Sequence, residues 1–227
     1  MSTKINKVVI RNACKKDIDE IVAIERKSFQ DVATGMISEL SFFEDHIDLF
    51  QQGQLCAELN GRIVGSASSL IVSLIPDYPD HSWYDIAGNR RIFTSHDPKG
   101  DSLYGDDICT HPDFRRLGIA TMLFNARKEL AMKLNLKRVI AGGRLYNYCE
   151  YAHILSPDEY VNKVVKAEIK DPVLSFDLKN GFKYIKILPE YIYDSRSLNY
   201  AAFIEWLNPK YRLSSISNNM YRKKVSA

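Results

Sequence analysis

Apolar positions along this chain recur at two periods, and together they predict alternating strands and helices. Val8-Val9-Ile10 reads as a first strand. Asp17 then suits a helix cap, with Glu20 as the reciprocal acid three residues on. Ile18, Ile21, Val22 and Phe29 follow at helical spacing. A second, less regular helical stretch covers Ser38 to Gln52. Leu55–Leu59 and Arg62–Ala67 flank Asn60-Gly61. That dipeptide suits a type I′ hairpin turn, because both residues tolerate positive φ. The second strand runs on toward Val72.

A loop rich in Pro and Gly follows over 76–102, long enough to suggest a functional connection. Leu103–Thr110 reads as a strand and Leu117–Lys133 as a helix. Its apolar stripe is Ile119, Met122, Leu123, Ala126 and Leu130, which leaves Arg127, Lys128 and Glu129 for water. Lys137–Gly143 is the next strand. Ser156-Pro157-Asp158-Glu159 is a capped helix start, and that helix runs to about Ile169. Val173–Lys179 is a short helix stopped by Asn180-Gly181. Phe182–Ile187 and Ala201–Leu207 close the chain as strands. The order β-α-α-β-β-β-α-β-α-α-β-β is a mixed α/β layout, with parallel pairing expected where helices separate strands.

Composition narrows the classes. The 227 residues suffice for one core, and the net charge of +3 is too small for a nucleic-acid or membrane-surface protein. No apolar run reaches a membrane-spanning length, and the start lacks a signal-peptide pattern. The four cysteines, Cys14, Cys56, Cys109 and Cys149, show no metal-ligand spacing and no disulfide framework. The expectation is a reduced, cytoplasmic protein without a metal. The basic tail 221–227 reads as a frayed end.

Chemistry concentrates in Asp107-Ile108-Cys109-Thr110-His111-Pro112-Asp113-Phe114-Arg115-Arg116-Leu117-Gly118-Ile119-Ala120. Here a strand ends, a basic loop follows, and a helix opens at a glycine. The first amides of a helix lack intrahelical partners and favour an anion. Small residues at 118 and 120 let an anion approach the backbone. The alternative is an ordinary strand-to-helix turn with surface arginines. A nucleotide-hydrolysing loop is excluded, because GxxxxGK[ST] is absent.

Arg115-Arg116-Leu117-Gly118-Ile119-Ala120 resembles the R/Q-x-x-G-x-G/A motif of the GNAT (Gcn5-related N-acetyltransferase) superfamily. Cys109-Thr110-His111-Pro112 and Phe176–Phe182 resemble that family's flanking segments, and the order of elements agrees. The resemblance implies a GNAT-like fold, a central mixed β-sheet flanked by helices. It implies one domain over 1–227, with its core at about 7–212 and an insertion at about 145–172. Ala141–Leu145, Tyr160–Asp171 and Tyr200–Pro209 resemble the acetyltransferase domain found fused to carbon–nitrogen hydrolases.

What the resemblance implies is transfer of acetyl from acetyl-CoA to a primary amine of a small molecule or peptide. Arg115, Arg116, Leu117, Gly118, Ile119 and Ala120 would cradle the pyrophosphate. The backbone of Cys109 and Thr110 would pair with the pantetheine arm, so the Cys109 thiol is no nucleophile. Direct attack needs a base and a proton for the thiolate. Strand alternation lets only one of Asp106 and Asp107 face the cleft, and subgroup placement favours Asp107 as the base. Tyr104 lies on the opposite face from Asp107 unless a bulge intervenes. Many family members place a Tyr where this chain has Asp177. Tyr146, Tyr148 and Tyr151 are therefore alternative acids, with Tyr148 chosen. Arg144 either binds a substrate carboxylate or forms a structural ion pair. His96-Asp97 stands as a candidate for shaping the acceptor pocket. The rival reading is a non-catalytic acyl-CoA-binding or interaction module; a second keeps the enzyme with a longer acyl-CoA. A homodimer is left open.

Overall fold

Asn60 and Gly61 both take positive φ, 54° and 78°, and close the hairpin of β2 (Leu55–Leu59) and β3 (Arg62–Val72). The architecture comes from a computed structural model, described over residues 7–29, 40–74, 79–86 and 92–213. The basic tail and parts of the loop after β3, Pro76 and Gly88 included, lie outside the described residues.

The other strands are β1 (Val9–Asn12), β4 (Ser102–Thr110), β5 (Arg138–Arg144), β6 (Lys183–Leu188) and β7 (Ala201–Leu207). The helices are α1 (Ile18–Ser28), α2 (Leu40–Phe50), α3 (Trp83–Ile86), α4 (Ile92–Ser95), α5 (Ile119–Lys133), α6 (Pro157–Val165) and α7 (Leu174–Lys179). The strands form one seven-stranded sheet in the order β1-β2-β3-β4-β5-β7-β6. Among the described residues only β4 and β5 pair in parallel; α5 bridges them as a crossover. This is the expected mixed sheet flanked by helices.

Adjacent residues of β4 show which helices cover which face. Ile108 packs toward Ile119 and Leu123 of α5, while Cys109 packs among Ile18, Ile21 and Ile24 of α1. Phe124 of α5 stacks on Phe176 of α7, with ring centroids 5.5 Å apart, so these helices share a face. The insertion joins them there. Ser156 caps α6, accepting from the Glu159 amide while Glu159 accepts from the Ser156 amide. Tyr160, Val161 and Val164 of α6 are buried in the same core as Phe124. Asp171 then receives the Tyr160 hydroxyl at 2.7 Å and the amides of Val173 and Leu174, which fixes the start of α7.

Three expectations need correction. Asp17 does not cap α1. It receives both Arg11 guanidinium nitrogens at 2.7 and 2.9 Å and the Cys14 amide, since a charged bidentate donor outcompetes a helix amide. Glu20 instead accepts from the Ile63 amide. The α6 helix stops at Val165, where the chain turns through a left-handed Ala167 (φ 60°). Most consequentially, Arg127 does not face water: it is 1% exposed, for the reason given below.

Candidate active site

Parallel pairing of β4 and β5 runs only from Ser102↔Arg138 to Gly105↔Ala141. Beyond it, β4 stays with β3 and β5 stays with β7, so the two strands part. The gap opens into a cavity of about 270 Å³. One edge of β4, from Asp106 to Thr110, therefore has no strand partner among the described residues on the cavity side.

Where the strands part, β4 also bulges. Ser68 pairs with Asp107 and Ser69 with Gly105, so Asp106 is an extra residue. The bulge resets the alternation. Tyr104 packs with Trp83 and Tyr191, and Asp107 hydrogen-bonds to Glu25 of α1. Tyr104 and Asp107 thus share the α1 face, and both Asp106 and Asp107 line the cavity. The expectation that only one aspartate could face the cleft assumed an unbroken strand.

Four carboxyls border the cavity: Glu25, Asp106, Asp107 and Asp177. Neither carboxylate oxygen of Asp106 has a hydrogen-bond partner, and one oxygen each of Asp107 and Asp177 is also unpartnered. Burial, then Asp107, pushes the Asp106 pKa up to about 7. Burial likewise raises Asp107 to about 6, opposed by Glu25, Arg127 and Arg144. A hydrogen bond between two carboxyls requires a proton between them, so Glu25 and Asp107 titrate as a pair. Burial, with Asp171 adding and Arg127 opposing, raises the pKa of Asp177, on the α7 wall, well above the usual carboxylate range. Its carboxyl reaches past Gly143: a Cβ there would lie 2.6 Å from Oδ2.

The glycine turn stands at the other end of the β4 edge. Arg116 and Gly118 both have positive φ, 66° and 77°, and Gly118 caps α5. A Cβ on Gly118 would meet nothing within 4 Å, so backbone conformation, not crowding, calls for glycine there. Arg115, Arg116 and Leu117 are exposed, Ile119 is buried, and Ala120 lines the cavity. Thr110, at the end of the open β4 edge, and Ala120, just after the turn, line the same cavity. Cys109 lines the cavity too, but its thiol sits 3.1 Å from Ser66 Oγ and burial raises its pKa well above the usual range. The Thr110 carbonyl accepts the Ser28 hydroxyl at 3.3 Å. The four cysteines are free thiols.

Two other candidates are displaced. Tyr148 does not reach the cavity. Its hydroxyl donates to the Leu155 carbonyl at 3.1 Å and its ring packs on Tyr160 and Tyr200, because the insertion folds back over it. His96 accepts from the Ile71 amide at 3.1 Å and packs on Phe50, away from the cavity. Arg144 does line the cavity, and it also pairs with buried Asp194 at 3.1 Å. Sequence reasoning missed Glu25 and Arg127. Arg127 had a signal: it falls on the stripe Ile119, Leu123, Leu130 at spacings of four and three. Among the described residues no group of His, Cys, Asp or Glu is placed to hold a metal ion. No described helix is long and apolar enough to cross a membrane.

A splayed parallel strand pair, a bulge at the splay and a glycine turn beyond it invite comparison with known proteins. The sequence profile of the Acetyltransferase (GNAT) family matches residues 18–148. The chain belongs to that family. This GNAT protein is 39% identical over 216 residues to YkwB of Bacillus subtilis (strain 168), described as an uncharacterized N-acetyltransferase, covering 93% of this chain and 94% of YkwB. It is 42% identical over 207 residues to the probable hydrolase YhcX of the same organism. That match covers 90% of this chain but 39% of YhcX, so the chain corresponds to part of that larger protein. Among solved structures, the GphF GNAT-like decarboxylase in complex with isobutyryl-CoA superposes with a TM-score of 0.74 at 19% identity. The superposition covers 88% of this chain and 99% of that one. Family membership and the match to YkwB make the chain an acyltransferase.

Proposed function

We propose that this protein transfers acetyl from acetyl-CoA to a primary amine of a small molecule or peptide, by direct attack of the amine on the thioester. The observation that carries this reading is the edge of β4 from Asp106 to Thr110, which lines the cavity and has no strand partner there among the described residues. An extended pantetheine arm can add to that edge as a strand would, through the main chain of Cys109 and Thr110. The amides from Arg116 to Ala120, with the Arg115 and Arg116 side chains, then hold the pyrophosphate. A phosphate-bearing donor fits there, because the space beyond Gly118 is open.

The α1 face of the cavity receives the acceptor. Three carboxyls, Glu25, Asp106 and Asp107, beside Phe29 and Trp83 suit an ammonium ion. The bound ammonium loses two protons, one to solvent before attack and one from the attacking nitrogen to the Glu25–Asp107 pair. The nitrogen then bonds to the acyl carbon, and the carbon–sulfur bond breaks with its electron pair going to sulfur. The Asp177 carboxyl, across the cleft and with its pKa raised by burial, supplies the proton to that sulfur in place of Tyr148. Arg144 borders the acceptor chamber as a guanidinium already neutralised by Asp194.

Calorimetric titration with acetyl-CoA, against desulfo-CoA and ATP, tests the donor site. The amine is tested by thiol release across a panel of small amines and peptides. Saturable acetyl-CoA binding well above ATP, with amine-dependent thiol release, supports the proposal. Binding without thiol release for every amine leaves an acyl-CoA-binding module instead. Asp177→Asn is expected to lower kcat by about 100-fold, the lower range for a general acid, at unchanged acetyl-CoA affinity. An unchanged kcat removes Asp177 from the proton path.

A further inference from the structure

Arg127 is one of the two largest fully buried side chains among the described residues. An unpaired guanidinium does not survive in a core, so its partners explain its presence. They are all at the β4 bulge. Nη2 donates to the Ser68 carbonyl at 2.8 Å and to the Asp107 carbonyl, and Nε donates to the Ser69 hydroxyl at 2.9 Å. Ser68 and Asp107 are the pair on one side of the extra residue, and Ser69 faces Gly105 on the other. One planar fork from α5 therefore ties both strands at the point where the ladder is interrupted. Gly105 makes room for it: a Cβ there would lie 2.7 Å from Nη1 and 3.0 Å from Cζ.

We propose that Arg127 is a positioning residue for acyl transfer, holding the bulge that aims Asp106 and Asp107 into the cleft while its charge faces their carboxyls. The inference rests on the acyl-transfer reading with Asp107 as the base. Without the bulge, alternation would turn one of these two neighbours away from the cavity. The guanidinium also lies central to the acid set, acting on Asp107, Asp106 and Asp177. Burial lowers its own pKa to about 10, so it stays charged at neutral pH. The groups facing Asp107 are Glu25 from α1, Arg127 from α5, Arg144 from β5, and Asp106 and Cys109 from its own strand. Arg127 is thus a cation that helps Asp107 ionise against burial. Lysine would keep the charge but not the three-way fork.

The test is the pH dependence of kcat/KM for the full chain with acetyl-CoA and an amine that releases thiol. Wild type is compared with Arg127→Lys, Arg127→Met and Gly105→Ala, with acetyl-CoA affinity and thermal unfolding measured on each. Arg127→Met is expected to lower kcat/KM about 100-fold at pH 7, with acetyl-CoA affinity kept. Its acid limb should move up by about one pH unit or more, the size expected for losing a nearby opposite charge. Arg127→Lys should keep the limb near its original position and lose about 10-fold in kcat, because charge remains and geometry does not. Gly105→Ala displaces the guanidinium without removing it, and should lower kcat in the same direction. It keeps the question open to test if Arg127→Met does not fold. A wild-type rate and limb in Arg127→Met, or in Gly105→Ala where Arg127→Met is unfolded, overturns the proposal alone. A wild type that turns over no amine, or an Asp107→Asn variant with an unaltered limb, overturns the acyl-transfer assignment and this inference with it.

Discussion

A Gly118→Glu variant is expected to lose acetyl-CoA binding by more than about 100-fold, equivalent to roughly 3 kcal/mol, while remaining folded. Two effects act together. Gly118 has φ 77°, a conformation that costs a side-chain-bearing residue about 1–2 kcal/mol. The turn amides are therefore shifted from the geometry that would hold a pyrophosphate. The added carboxylate then stands in the open space beyond the turn, where nothing within 4 Å of a Cβ restrains it. It would repel the donor's phosphates at the point where α5 offers its positive end. Gly118→Asn separates the terms, since asparagine tolerates positive φ and carries no charge. It should weaken binding by about 10-fold or less. Calorimetry reads the affinities, and circular dichroism confirms the fold. Undiminished binding by Gly118→Glu would refute the pyrophosphate assignment.

The second large effect is expected at Asp107. Asp107→Asn should lower kcat by about 100- to 10,000-fold, the span of general-base contributions, with acetyl-CoA affinity unchanged. It should also erase the acid limb of the pH profile. The sign follows from burial. The carboxyl is raised to about 6, so the working ionised form is populated above that pH, and turnover should rise as pH increases through it. Stability runs the other way. A carboxyl whose folded pKa lies above its unfolded value stabilises the fold only where it is protonated. That contribution is complete below the unfolded value near 3.8 and is lost as pH rises to about 6. Asp107→Asn should therefore melt no lower than wild type at pH 7, and the variants' difference should shrink toward pH 4. A loss of activity accompanied by a large fall in melting temperature would point to misfolding instead of a missing base.

Much of the fold was legible because its signals are local. Asn60-Gly61 demands positive φ at two consecutive residues, and only a tight hairpin uses that. Ser156, Pro157 and Glu159 satisfy helix amides within one turn of chain. Gly118 announces the turn before α5 for the same backbone reason. The order of strands and helices, and the segment that carries the candidate donor site, rest on such short-range chemistry.

The catalytic side of the cleft was not legible in that way, because its determinants lie far apart in sequence. Whether Asp106 and Asp107 point to one cavity depends on an extra residue against Ser68 and Ser69, and an alternation count within β4 cannot reveal it. Glu25 matters only because α1 packs beside Asp107. Tyr148 looked near the chemistry by position, yet the insertion carries it into a core against Tyr160. Asp177 stood out in the sequence only as a departure, and its burial beside Gly143, which raises its pKa, appears only in the folded structure. Arg127 is the sharpest case. By charge it belongs in water, and by period it belongs in the stripe of α5. The sequence by itself determined the elements, their order and the glycine turn, since backbone propensity and capping act over a few residues. Only the tertiary structure decided which carboxyls meet in the cleft, because two carbonyls freed by a bulge in another element supplied the partners that let a guanidinium be buried.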